Sequence, residues 1–166
     1  VKWGVTTSQA YLPKDNSRDF AGGETILDWL RQFASTEEDD NTFLRGFLGR
    51  MLFSGEEVNK SVNVLSGGEK VRVMLSKLML LKSNVLVLDD PTNHLDLESI
   101  SSLNEGLTNY KGSLLFASHD HEFIQTIANH IIVISKNGVI DRIGETYDEF
   151  LENDEVQAKV KALWAD

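Results

Sequence analysis

Apolar residues recur along this chain with two periods, one helical and one extended. Over residues 24–33, Ile26, Leu27, Leu30 and Phe33 follow a helical spacing with Trp29 beside them. Residues 42–53 repeat it with Phe43, Leu44, Phe47, Leu48, Met51 and Leu52. A longer stripe over 68–81 carries Val71, Val73, Met74, Leu75, Leu78, Met79 and Leu81, with Ser66 placed to cap it. The period then changes. Val85 to Leu88 has no polar interruption, which predicts a strand buried in a parallel sheet. Beyond it the pattern predicts a helix over 97–110 with Ile100, Leu103 and Leu107 inward, a strand over 113–117, a short helix over 122–128 and a strand over 131–134. Asn137-Gly138 is a hairpin signal before a strand over 139–143. Thr146 with Glu149 three residues on is a capping-box pattern for a helix over 146–151, and 156–164 is a short amphipathic tail. Upstream, 1–5 and 8–12 are candidate strands. The acidic run 37–40 reads as a solvated loop and 55–64 as a polar connector. Strands alternating with helices predict an α/β fold.

The 166 residues suffice for one domain with a sizeable core, and 41% hydrophobic with 25% charged residues is the range of soluble globular chains. No apolar run approaches the roughly eighteen residues of a membrane span, and no signal peptide is visible, so no membrane insertion is expected. The absence of cysteine removes disulfide and thiolate chemistry and agrees with a cytoplasmic setting. A net charge of −10 argues against a broad nucleic-acid surface on this chain.

Two runs carry the chemistry: Leu65-Ser66-Gly67-Gly68-Glu69-Lys70, and Val85 to Leu88 continuing into Asp89-Asp90-Pro91-Thr92-Asn93-His94-Leu95-Asp96. Glycines at a helix start let the backbone come close to an anion, and the first helical N–H groups have no partner inside the helix. Two carboxylates end the apolar strand, where ligands bind in open α/β sheets. The pair resembles the signature and Walker B motifs of ATP-binding-cassette (ABC) ATPases. Asn93-His94-Leu95-Asp96 is similar to the ABC-F branch, soluble twin-cassette ATPases that act on the ribosome.

The resemblance implies a P-loop NTPase-like ABC core, partial, with an inserted helical signature subdomain. Residues 1–20 would hold the Q-loop region, 21–82 the helical subdomain, 83–150 the Walker B, D-loop and H-loop core, and 151–166 a C-terminal tail. It implies ATP and Mg²⁺ as ligands, a second cassette as partner and the ribosome as the target of the whole protein, in translation regulation. Two cassettes of this family sandwich ATP head to tail. Ser66, Gly67, Gly68 and Glu69 would therefore meet the ATP of the partner cassette. Asp89 would hold Mg²⁺ through water. Asp90 stands where the family usually has glutamate and would orient the attacking water. Its side chain is one methylene shorter, a retreat of roughly 1 Å that can cost about a hundredfold in rate. His119, in Ser118-His119-Asp120, resembles the switch histidine that contacts the γ-phosphate, and Asp96 the D-loop aspartate. The Q-loop glutamine position is matched by Lys14, a departure: a lysine there either approaches a phosphate as a point charge or stands as a solvated loop residue. Bland roles stand beside these: caps for Asn93 and His94, a favourable first-turn acid for Glu69, a surface site for His121.

No two of the twelve glycines have the five-residue separation of a Walker A motif followed by Lys and Ser or Thr, so the expectation is the later part of a cassette that by itself builds neither ATP site. Other readings share the motifs. The ATPase subunit of a membrane transporter differs in partner and usually carries Ser-Ala-Leu-Asp in place of Asn93 to Asp96. A chromosome-organising SMC-type lobe calls for a coiled coil that this chain lacks. The isolated chain as a non-catalytic binding module is the fourth.

Overall fold

The structure is a computed structural model in which residues 2–164 are described. It divides into two compact units, the first ending at Ser118 and the second beginning at His119.

The first unit is built on a three-stranded parallel sheet of β1 (Gln9–Leu12), β2 (Val85–Asp89) and β3 (Ser113–Ala117), in that order across the sheet. Leu12 pairs with Leu88 and Leu88 with Phe116. Ala10, Leu12, Leu86 and Leu88 point to one face and are buried. Tyr11 and Leu115, in register with Val87 on the other face, are more than half exposed. The uninterrupted run in β2 predicts burial on both sides, yet only alternate residues are buried. An apolar run shows what a strand can bury, not what covers each face.

Helices α1 (Ile26–Arg31), α2 (Asn41–Arg50) and α3 (Gly67–Leu80) pack on one another through Ile26, Leu30, Leu44, Leu48 and Val73. Trp29 is buried between Phe20 and Phe33, and its indole N–H donates to the Asp19 carbonyl at 2.9 Å. The acidic run is not merely solvated. The Asp40 carboxylate caps α2 by accepting the Phe43 N–H at 3.0 Å, Asp39 pairs with Arg31, and Glu38 pairs with Lys82. Phe43, placed on the apolar stripe by spacing, is exposed, because α2 buries only the line of Leu44 and Leu48. Leu81 is likewise exposed. It is the C-cap of α3, and Leu80 takes the buried place. The polar connector contains two 3₁₀ turns, Gly55–Asn59 and Val62–Val64, that bury Val58 and Val62. In α4 (Leu97–Thr108) the inward line is Ser99, Leu103 and Leu107, with Ile100 only half-buried. Residue 1 lies outside the described residues, and 2–5 form no strand. The Thr7 N–H turns back to the Gly4 carbonyl at 3.0 Å.

The second unit comprises α5 (His121–Ile127), the antiparallel hairpin of β4 (His130–Ser135) and β5 (Gly138–Ile143), α6 (Tyr147–Glu152) and α7 (Asp154–Trp164), which lies against both strands. Ser135 pairs with Gly138, so the turn residues are Lys136 and Asn137, one position earlier than the hairpin signal suggests. The capping box of α6 is formed. The Thr146 hydroxyl accepts the Glu149 N–H at 3.3 Å, and the Glu149 carboxylate accepts the Thr146 N–H at 2.8 Å. The last two residues of the C-terminal tail lie outside the described residues. No described helix is long and apolar enough to cross a membrane.

Candidate functional site

Parallel pairing with β1 and β3 brings the end of β2 to one edge of the first unit. Asp89 is its last residue. Asp90 follows at φ +50, and its N–H donates to the Ala117 carbonyl at 2.9 Å, continuing the sheet by one bond. The Asp90 carbonyl accepts the Asn93 N–H at 3.1 Å, which closes the turn. Aspartate tolerates this left-handed backbone better than most residues because its short polar side chain bonds locally.

The Asp90 carboxylate is met at 2.8 Å by the ammonium of Lys14, from the loop after β1. The hydrogen bond to Asp90, then its charge, hold the Lys14 ammonium above its ordinary value. In the same loop Asp15 accepts the Ser17 N–H at 3.0 Å, which holds its carboxyl low. Asn16 is only 7% exposed, and its side-chain nitrogen has no hydrogen-bond partner. Buried amides are seldom left this way. Lys14, Asn16, Asp89 and Asp90 line a cavity of about 320 Å³ together with Gly67 and Lys70 from the start of α3. A larger cavity of about 540 Å³, among Met51, Leu75, Leu78, Leu103 and Tyr110, is mainly apolar and has no carboxylate in its wall. It offers a metal ion no carboxylate ligand.

Ser66 is the N-cap of α3. Its hydroxyl accepts the Glu69 N–H at 3.3 Å, and the Glu69 carboxylate accepts the Ser66 N–H at 2.8 Å and the Lys60 ammonium at 2.9 Å. Burial is the largest single influence on the Glu69 carboxyl and pushes it up. The Lys60 bond and the bonds from Ser66 together outweigh burial and hold the carboxyl low. A Cβ built on Gly68 would stand 2.7 Å from the carbonyl oxygen of His94, which itself has φ +65. Asp96 caps α4 through the Ser99 N–H at 2.8 Å, and that bond is the main cause of its lowered carboxyl pKa. The cap of α4 is thus Asp96 and not Asn93 or His94.

Of the residues expected at the site, the cavity gathers Lys14, Asp89, Asp90 and Gly67. Ser66, Gly68, Glu69 and Asp96 lie outside its wall, in capping and packing positions. His119 opens the second unit and is exposed. His121, read as a surface residue, is exposed and pairs with Asp148 at 2.9 Å. Sequence reasoning missed Asn16 and Lys70 as wall residues. Lys70 ends the glycine motif, which is a signal that could have found it, whereas nothing in the sequence marks Asn16.

Residues 6–93, more than half of the chain, match the family described as ABC transporter. The chain belongs to this ABC family, as an ATP-binding domain. The ABC domain is 64% identical over 166 residues to the uncharacterized ABC transporter ATP-binding protein YkpA of Bacillus subtilis, covering 99% of this chain and 30% of YkpA. It is 41% identical over 120 residues to ABC transporter F family member 2 of Arabidopsis thaliana, 72% of this chain and 17% of that protein. Its α/β fold is that of ABC ATPases. An archaeal ribosome recycling factor, aABCE1, solved in complex with the ribosomal stalk protein aP1, superposes with a TM-score of 0.64 at 22% identity, over 80% of this chain and 26% of that one. The chain thus spans under a third of the length of these curated relatives.

Proposed function

We propose that this ABC domain forms part of an ATPase in which two cassettes close head to tail on ATP and Mg²⁺, in a cytoplasmic ABC-F type factor that acts on the ribosome in translation regulation. The observation that carries the ATPase reading is the pair Asp89 and Asp90 at the end of a parallel strand, opening on a cavity whose wall also holds Lys14 and Lys70. Carboxylates beside cations suit a magnesium–phosphate ligand. No group of three or more His, Cys, Asp or Glu among the described residues could cage a metal. Mg²⁺ keeps several waters and uses one or two carboxylates together with substrate phosphates.

In this reading Asp89 holds the ion, which supplies charge neutralisation at the phosphates when bound. Asp90 orients the attacking water, aimed by its left-handed turn and its bond to Ala117. His119 contacts the terminal phosphate. The first N–H groups of α3, at Gly67 and Gly68, have no partner inside the helix, and the head-to-tail arrangement assigns them to the nucleotide of the second cassette although Gly67 also lines the cavity of Asp89 and Asp90; Ser66 and Glu69 fix the helix start. Asp96 couples the two sites by shaping the loop between β2 and α4.

The ABC-F assignment is supported by Asn93-His94-Leu95-Asp96 and by the relative whose name places it in the F family. A ribosomal target is what the ABC-F reading implies. The competing reading, an ATPase subunit of a membrane transporter, draws on the name YkpA carries. Co-sedimentation with ribosomes supports the first and co-purification with a membrane subunit the second. The ATPase reading is tested by ATP binding and hydrolysis of this 166-residue chain beside a version extended upstream through a phosphate loop. The extended version alone is expected to bind and turn over ATP. Tight binding by the short chain would overturn the placement of phosphate recognition.

A further inference from the structure

Lys14 and Asp90 are 76 residues apart in sequence and form an ion pair in the cavity wall. The pair is lopsided. The Asp90 side chain is 16% exposed, on a residue pinned by the sheet and a left-handed turn, whereas the Lys14 side chain is 58% exposed on a flexible stem. The lysine is therefore the partner that can move. A carboxylate tied to an ammonium offers fewer free lone pairs to a water. In the same loop the Asn16 amide nitrogen is buried without an acceptor, a second donor with no satisfied role in the structure as it stands. Lys70 also lines this cavity and adds positive charge to it.

We propose that Lys14 is a displaceable counter-ion of Asp90: its ammonium holds the carboxylate until a nucleotide's terminal phosphate takes the ammonium over and frees the carboxylate for water. This rests on the proposed ATP site and adds its regulation. A terminal phosphate carries more negative charge than one carboxylate and presents several acceptor oxygens, so it competes for the same three donors of an ammonium. Lys14 acts on the reaction through Asp90 and is a positioning residue.

The test is a double-mutant cycle on binding of a non-hydrolysable ATP analogue with Mg²⁺ to the full-length protein, using Lys14→Gln, Asp90→Asn and both. If the lysine changes partners, Asp90→Asn removes a bond that binding must break. It then tightens the analogue by more with Lys14 present than in the Lys14→Gln background, by about twofold to fivefold, the range of an exposed ion pair. If Lys14 stays on Asp90 throughout, it shields the phosphate from that carboxylate, and Asp90→Asn tightens binding more in the Lys14→Gln background. That opposite sign, or no coupling, overturns the exchange. Turnover separates the two levels. Coupling that is absent or of opposite sign while Asp90→Asn abolishes hydrolysis rejects the counter-ion alone. Loss of neither analogue affinity nor hydrolysis in any variant rejects the ATP site as well.

Discussion

Gly68 and the His94 carbonyl lie so close that a methyl group on Gly68 would meet that oxygen at 2.7 Å. The second glycine of the signature run therefore seats the loop between β2 and α4 against the start of α3. It is needed for close backbone approach whether or not an anion binds there.

Gly68→Ala must push His94 away. The expected cost is about 1–3 kcal/mol of unfolding free energy, the range for overpacked sites. At Gly67 the same Cβ meets His94 at an ordinary 3.5 Å. Gly67→Ala is expected to stay within about 0.5 kcal/mol of wild type, as surface substitutions do. Urea unfolding of both variants checks the contrast.

The backbone at Asp90 makes a second stability claim. At φ +50 a β-branched side chain is strained, so Asp90→Val is expected to destabilise by roughly 1–2 kcal/mol. Asn tolerates this region as Asp does, so Asp90→Asn leaves the unfolding midpoint nearly unchanged. Equal midpoints for the two variants would contradict the strain argument.

Trp29 ties α1 to the loop before it. Trp29→Phe keeps most of the ring but leaves the Asp19 carbonyl without its donor, at a cost of about 1–3 kcal/mol. Trp29→Ala adds a cavity between Phe20 and Phe33 and is expected to cost about 3–5 kcal/mol. Thermal unfolding of the two variants should rank them in that order.

Acid should loosen the start of α4. The Asp96 carboxyl is lowered in the folded state by the Ser99 N–H, so in acid the unfolded chain takes up its proton first. Its contribution is present above the ordinary carboxylate value of 3.8 and is lost as pH falls through the lower folded value. Asp96→Asn keeps a capping oxygen without the titration. Its stability is expected to fall less steeply than wild type below about pH 4. Parallel acid profiles would contradict this.

What the sequence reveals and what it hides follow from one distinction. Local signals were legible: Ser66 and Glu69 form a capping box because both partners lie within one turn, and Thr146 and Glu149 do the same. That the strands run parallel follows from the alternation of strands and helices, whereas their order across the sheet does not. Which side of a stripe is covered is set by the neighbouring element. This is why Phe43 and Leu81 are exposed and Val58 and Val62 are buried in a segment that reads as polar. The site divides in the same way. Asp89 and Asp90 stand out because they end an apolar strand, and Lys14 because it departs from a motif. That Lys14 touches Asp90, that Asn16 is left without an acceptor, and that Gly68 meets His94 are long-range facts with no local trace in the chain.

The measurement closest to the account is single-turnover ATP hydrolysis by the full-length protein carrying Asp90→Asn, with ATP binding measured alongside. Asn keeps the size and the left-handed turn but removes the charge that orients water. Binding is expected to be retained or tightened, and the hydrolysis rate to fall by about a hundredfold or more, the contribution of a positioned base. Hydrolysis within about twofold of wild type, far short of that contribution, would show that the carboxylate at the end of β2 does not serve the attacking water, and the ATPase site proposed around it would have to be abandoned.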